Sequence, residues 1–184
     1  MRAIILRAAG GLDRLEVVAL PEPPPPGRGE IRVRVRATTL NYRDYVIVSG
    51  ANARTQDRIP MADASGEVIA VGEGVAGMSV GDHVVSTFFP SWQAVGPGPR
   101  TADVPGDSAD RYAHEIVTVP ATHFTRAPAG YSHEQAATLT CAGVTAWRAL
   151  MADDPLLPGQ SVLVQGSAAF RSSRCNWQGW RAPR

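Results

Sequence analysis

The chain has 184 residues, 44% of them hydrophobic and 19% charged, and a net charge of +1. This composition is typical of a globular protein with a packed core and excludes a disordered or membrane-embedded chain. Four arginines and no acidic residue lie after Gly166, so the rest of the chain is mildly acidic. This charge argues against a nucleic-acid partner.

Residues up to about 125 predict an all-β unit of many short strands. The first two strands are MRAIILR and RLEVVALP, and a proline-rich connector follows them. The segment EIRVRVRATTL alternates, which places Ile31, Val33 and Val35 on one face and the arginines toward solvent. Further strands are predicted in ASGEVIAVGEGVAGMSVGDHVV, YAHEIVTVP and HFTRAP.

The first predicted helix is YSHEQAATLTCAGVTAWRALM, in which Ser132 and Gln135 form a capping box. A predicted strand, SVLVQ, then runs into Gly166. Such a strand normally opens a glycine-rich loop and a helix, whose N–H groups bind a pyrophosphate. Here an arginine- and tryptophan-rich run follows instead.

Several motifs suggest sites that their context does not support. Residues 72–77 match GxGxxG, but strand residues follow where a helix must begin, so we predict turns within the β unit. The four histidines lack the spacing of metal ligands, and two cysteines are too few for a four-cysteine zinc site or a disulfide framework. No stretch reaches the roughly 18 apolar residues of a membrane span, so we expect a cytoplasmic protein without a membrane partner.

A polar cluster at Asn41, Tyr42 and Asp44 stands just past a predicted strand end. Loops on a rigid β scaffold commonly carry binding residues, whereas a plain polar turn would have the same composition. Thr145 is likewise either an ordinary helical threonine or a binding residue. The residues alone leave both alternatives open.

In series, the segments ATTLNYRDY, DASGEVIAVGEGVAGMSVGDHVV, EQAATLTCAGVTAWRAL and LLPGQSVLVQG resemble the medium-chain dehydrogenase/reductase superfamily. The resemblance spans about residues 1 to 167. It implies a mainly β fold: a GroES-like β-barrel catalytic domain over residues 1–125, then the first helix and strand of an α/β Rossmann domain over residues 126–167. The intact family binds NADP(H) or NAD(H) between these domains.

The resemblance also indicates a branch of the superfamily. Zinc-dependent members carry a catalytic cysteine near the position of Asn41 and Gly-His-Glu where this chain reads Asp63-Ala64-Ser65-Gly66. With both missing, the chain is similar to the zinc-independent branch of quinone oxidoreductases and enoyl reductases, which transfer a hydride to a quinone, enone or enoyl group. An alternative is a zinc-type alcohol dehydrogenase relative that has lost its ligands.

The resemblance assigns roles to individual residues. Asn41 and Tyr42 would line the nicotinamide and substrate pocket as the catalytic residues, with Tyr42 as proton donor and Asp44 holding the loop. Thr145 would contact the nicotinamide, and Gly166 would open the phosphate turn. The implied partners are a small-molecule substrate and, in the family, a second copy of the chain.

Residues 168–184 depart from the family pattern. Restoring one guanine after the codon for Ser167 lets the tail read Ser-Gly-Gly-Val-Ser-Ile-Phe-Ala-Leu-Gln-Leu-Ala, which fits the family's loop and helix. We therefore expect a frame-shifted tail, a truncated Rossmann domain, weak or absent cofactor binding, and no activity or dimer from this chain alone. The helix beginning at Ser132 should then expose apolar side chains.

The alternative for the tail is a non-enzymatic GroES-like module. Its arginines, together with Trp177 and Trp180, would bind a partner such as single-stranded nucleic acid by charge and stacking. DNA sequencing across the codons for residues 166–170 tests the frame shift.

Overall fold

The structure is a computed structural model that describes residues 1–8, 10–50, 57–92, 110–152, 155–157 and 159–163. The chain divides into two compact units, Met1–Thr140 and Cys141–Arg184. Every predicted site residue except Thr145 and Gly166 lies in the first unit.

The described strands of the first unit form two antiparallel sheets. The smaller sheet pairs β1 (Arg2–Leu6) with β2 (Leu15–Ala19). The larger sheet has, in spatial order, β6 (Ile116–Pro120), β3 (Glu30–Thr39), β4 (Asp63–Val71), β5 (His83–Ser86) and β7 (Phe124–Arg126).

The predicted β fold is confirmed, but the described strands do not close into a barrel. Besides its ladder with β2, β1 makes two isolated bridges, from Ala3 to His114 and from Leu6 to Arg58. Single bridges cannot continue a ladder around a closed cylinder, so the two sheets remain separate.

The core of the first unit lies on one face of the larger sheet. Ile31 and Val33 of β3 are fully buried against Val68 and Val84, as the alternation predicts. Arginines occupy alternate positions of β3. One of them, Arg36, pairs with Glu67 across the β3–β4 ladder at 3.0 Å.

The GxGxxG stretch forms turns and no helix follows it, which confirms the prediction for residues 72–77. Gly74 and Gly77 have positive φ angles of 77° and 78°, which glycine adopts without strain. A side chain at Gly72 would collide with the carbonyl group of Gly27. These glycines therefore serve close backbone packing.

The helical segments differ from the prediction in two ways. A short helix, α1 (Tyr42–Val48), begins at the polar cluster, where no helix was expected. The predicted helix at 131–151 is divided into α2 (His133–Ala137), a π-helical turn (Leu139–Gly143) and α3 (Val144–Met151).

Threonine hydroxyls explain the interruption. The hydroxyl of Thr138 donates to the carbonyl of Gln135 at 2.7 Å, and that of Thr140 donates to the carbonyl of Ser86 at 2.9 Å. The first is a local bond of the kind that competes with regular helical geometry, and the second ties the π-helical turn to the end of β5. The capping box of Ser132 and Gln135 is present as predicted.

The strand predicted at 161–165 is not found in residues 161–163, and residues 164–166 lie outside the described residues. The aberrant tail, 168–184, also lies outside the described residues.

Candidate functional site

The predicted polar cluster is the N-terminus of α1. The backbone N–H of Asn41 donates to Asp44 Oδ2 at 2.8 Å, and the N–H of Asp44 donates to the carbonyl of Asn41 at 3.0 Å. The carboxylate of Asp44 also suits the positive end of the helix dipole. The signal for this helix was an Asn-x-x-Asp pattern that acts as a capping box.

Asp44 is buried and anchors the start of α1 to the chain entering β4. Its Oδ1 accepts a hydrogen bond from the backbone N–H of Ala62 at 3.3 Å. A buried carboxylate is retained only where hydrogen bonds offset its lost hydration. Asp44 therefore sets where Asn41 stands relative to β4.

Asp63, the first residue of β4, holds the side chain of Asn41. Asn41 Nδ2 donates to Asp63 Oδ2 at 2.9 Å, and Asp63 is fully buried. Because a carboxylate only accepts, this contact assigns the orientation of the amide. Sequence reasoning did not propose Asp63 as a site residue, because its burial and its contact with Asn41 appear only in the folded chain.

Aromatic side chains project from the beginning of α1. Tyr42 is 81% exposed, and its ring centroid lies 6.2 Å from that of Tyr45, which is also exposed. The guanidinium of Arg43 stacks over the ring of Phe88 at 5.2 Å. Two exposed aromatic rings, tilted by 36° to each other, therefore follow Asn41 directly in the chain.

The structure brings together three of the predicted site residues, Asn41, Tyr42 and Asp44. Thr145 lies in the second unit, exposed in the first turn of α3, and Gly166 lies outside the described residues. The catalytic and cofactor-binding roles of all five residues stay predictions.

A second polar cluster lies where α2 packs on the larger sheet. Ser65 Oγ is within 2.8 Å of His83 Nε2 and 3.1 Å of His133 Nδ1. The two imidazole centroids are 4.0 Å apart. His133 stands in the first turn of α2. Its partners are on strands distant in sequence, so helix spacing could not reveal them.

A groove of about 390 Å³ opens elsewhere in the first unit, and its lining contains none of the predicted site residues. It is lined by residues 2–4, 17, 35–38 and 112–115. Burial raises the pKa of Tyr112 well above its usual range and lowers the pKa of His114. Both groups are therefore neutral at physiological pH.

The described residues contain no group of three histidine, cysteine, aspartate or glutamate side chains placed to hold a metal ion. The expectation of a zinc-independent site stays a prediction. In the part of the chain that the structure describes, no helix is long and apolar enough to cross a bilayer.

Comparison with known proteins agrees with this architecture. Residues 27–129 match the family described as the alcohol dehydrogenase GroES-like domain. A zinc-type alcohol dehydrogenase-like protein of Schizosaccharomyces pombe is 33% identical over 91% of this chain and 50% of its own length. The human synaptic vesicle membrane protein VAT-1 homolog is 33% identical over 91% of this chain and 38% of its own length.

A solved structure shares both fold and sequence. The Escherichia coli quinone oxidoreductase complexed with NADPH superposes with a TM-score of 0.64 and is 26% identical, over 83% of this chain and 41% of that one. The β unit is thus a GroES-like domain. The chain belongs to the medium-chain dehydrogenase/reductase superfamily, and it spans half or less of the length of these relatives.

Proposed function

We propose that this chain carries the substrate-side half of an NAD(P)H-dependent oxidoreductase of the zinc-independent type, which reduces quinones, enones or enoyl thioesters. The observation that carries the proposal is Asn41 at the end of β3, with its amide held by the buried Asp63. An amide occupies the place where the zinc-dependent branch has a cysteine, and an amide is a poor ligand for zinc.

The residues around Asn41 suit binding and orientation of a flat substrate. Tyr42 and Tyr45 offer exposed ring surfaces that bury an apolar ring, and Tyr42 carries a hydroxyl that can donate a proton at its oxygen. Asp44 and Asp63 are both buried, so they hold Asn41 in place without facing the substrate. Such preorganisation favours the aligned geometry that a transfer reaction requires.

NADPH or NADH supplies the hydride when bound, and the protein supplies position and a proton. The amide of Asn41 and the exposed hydroxyl of Thr145 are both groups that can form hydrogen bonds with the carboxamide of the nicotinamide. The proposal also assigns Gly166 to the phosphate side of the cofactor and places the protein in the cytoplasm. Without the restored reading frame, this chain should have little affinity for the cofactor.

Cofactor titration tests the proposal. NADPH and NADH fluorescence would be followed on the 184-residue chain and on a chain with the single base restored after the codon for Ser167. Binding by the restored chain alone, with reduction of a quinone, an enone or an enoyl thioester, supports the proposal. Binding by neither chain contradicts it. Micromolar binding by the 184-residue chain itself would show that the tail forms a phosphate site, against the frame shift.

A second candidate is a zinc-type alcohol dehydrogenase relative. The similarity to the Schizosaccharomyces pombe protein, which is described as zinc-type, favours it. Metal analysis of the purified chain decides between the two. Stoichiometric zinc in the purified chain would support this candidate, whereas substoichiometric zinc would remove it.

A further inference from the structure

Three elements of the first unit meet at one hydroxyl group. Ser65 comes from β4, His83 from β5 and His133 from the first turn of α2. Ser65 is fully buried, and its Oγ contacts both imidazoles, at 2.8 Å and 3.1 Å. We call these three residues the histidine cluster.

The hydrogen-bond partners of Ser65 indicate which ring nitrogens of the histidine cluster carry a hydrogen. Ser65 Oγ donates to the carbonyl of Val84 at 3.0 Å, so its single hydrogen is used there. Both imidazole contacts are then donated by the rings, from His83 Nε2 and His133 Nδ1. A neutral imidazole has one N–H, so two neutral rings satisfy the cluster completely. The full burial of Ser65 and its donation to Val84 also argue against a nucleophilic serine.

A second proton on each ring would place two cations in contact. The ring centroids are 4.0 Å apart, and Arg36 of β3 adds a third positive charge nearby. Two carboxylates oppose this charge, Glu67 of β4 and Glu134 of α2, but Glu67 is already paired with Arg36 at 3.0 Å. Burial, then His83 and Arg36, lower the pKa of His133 against the opposing effect of these carboxylates.

Helix α2 depends on such contacts because it has only five residues. Isolated helices of that length are not stable in water, so packing must hold α2 in place. Ala136 and Ala137 are fully buried, and the hydroxyl of Thr39 donates to the carbonyl of Ala137 at 2.7 Å. The histidine cluster is the anchor at the other end of the helix. Three residues after α2, the chain passes into the second unit.

We propose that the histidine cluster is an acid-sensitive clamp, which docks α2 on the larger sheet while the imidazole of His133 is neutral and releases it when that ring is protonated against His83 and Arg36. A group whose pKa is lowered in the folded state favours folding above its unfolded value, about 6.5 for histidine. The contribution of His133 is therefore complete above about pH 6.5 and is lost as the pH falls below it. The clamp concerns docking of α2 and does not depend on the proposed reaction.

Amide hydrogen exchange measures the clamp in the 184-residue chain. The N–H of Ala136 bonds to the carbonyl of Ser132 and reports on α2, whereas the N–H of Val68 bonds to the carbonyl of Asp82 and reports on the sheet. Between about pH 7.5 and about pH 5.5, the protection factor of Ala136 should fall several-fold more than that of Val68, up to the limit of about tenfold that one histidine with an unfolded pKa of about 6.5 can give at the lower pH. Parallel loss at both amides would overturn the proposal.

Matched variants separate charge from contact. His83→Gln together with His133→Asn keeps an N–H donor near each ring position but cannot take up a proton. This double variant should retain protection of Ala136 at the lower pH. His123→Gln, at a half-buried histidine outside the cluster whose pKa is lowered to about 4, should behave as the unmodified chain does. Equal loss in the unmodified chain and the double variant would contradict the clamp.

If the double variant does not fold, NMR titration of the histidine ring protons in the unmodified chain tests the proposal instead. The His133 ring should titrate below pH 6.5 in an NMR experiment, and loss of Ala136 protection should follow the same curve. A midpoint for His133 at or above 6.5 would overturn the proposal.

Discussion

The two units of the chain differ in how they bury apolar side chains. In the first unit, Ile31, Val33, Val68 and Val84 are fully buried in one cluster built by neighbouring strands. In the described part of the second unit, Leu150 is buried, but several other large apolar side chains are exposed, among them Val144, Trp147, Leu157 and Leu163. The first unit thus supplies the partners of its own core, whereas the helix α3 presents apolar surface, as the sequence predicted. Substitutions should therefore affect stability strongly in the first unit and weakly in the second.

The largest effect is expected at Gly66 in β4. A Cβ there would collide with the backbone carbonyl of Arg34 and with the side chain of Val33. Because the carbonyl belongs to the β3–β4 ladder, the strands would have to separate. Gly66→Ala should lower the free energy of unfolding by at least about 3 kcal/mol, measured by urea denaturation.

Gly29→Ala is the matched control for Gly66→Ala. Gly29 has a φ of 78°, and a Cβ there would meet no atom within 4 Å. Only backbone strain of about 1 kcal/mol is then expected. If the two variants were equally stable, the close packing of β3 and β4 would be contradicted.

The next effect compares the two units directly. Val33→Ala removes buried methyl groups from the core and should cost about 2 kcal/mol, from lost burial and the remaining cavity. Leu163→Ala removes more carbon, but Leu163 is 86% exposed, so the cost should be within about 0.5 kcal/mol. Thermal or urea unfolding of both variants measures the difference. A larger loss for Leu163→Ala would reverse the comparison of the units.

The third prediction concerns the candidate site. Asn41→Ala removes the donor to Asp63 Oδ2, a fully buried carboxylate, and should cost about 1 to 3 kcal/mol. Tyr42→Phe is the control, because Tyr42 is exposed and its loss of a hydroxyl should change stability little. Urea denaturation of both variants tests this. Equal stability would mean that the contact between Asn41 and Asp63 does not anchor α1.

The smallest effect is expected at Tyr112, at neutral pH. Its hydroxyl is buried and makes no hydrogen bond within the described residues, so Tyr112→Phe should be as stable or more stable by about 1 kcal/mol. The pKa of Tyr112 is raised above 10, chiefly by burial, so its contribution to stability is present below pH 10 and is lost at higher pH.

Unfolding curves measured on either side of pH 10 check this prediction. The unmodified chain should lose stability on the alkaline side, and Tyr112→Phe should lose less. An equal alkaline loss in both would place its origin in other groups.

Local patterns predicted most of the first unit. The alternation in EIRVRVRATTL placed Ile31 and Val33 in the core, and the strand residues after the GxGxxG match excluded a nucleotide helix. These are properties of one segment, so they can be read without knowing its partners. The same holds for the capping box of Ser132 and Gln135.

Contacts between distant segments were not predictable in this way. Asp63 lies 22 positions from Asn41, and His133 lies 50 positions from His83. No periodicity of a single helix or strand links such pairs. The helix α1 was missed for another reason. Its capping pattern is a local one, but a helix of seven residues is too short to show a clear hydrophobic period.

The sequence by itself determined the β class of the first unit, the residues of its core, and the family to which the chain belongs, because each rests on short-range patterns or on motifs in series. Tertiary structure alone decided that Asp63 holds Asn41, that two histidines meet at Ser65, and that α2 is separate from α3. Strand pairing brings together residues far apart in the chain, and the hydrogen bonds that orient them exist only after that pairing.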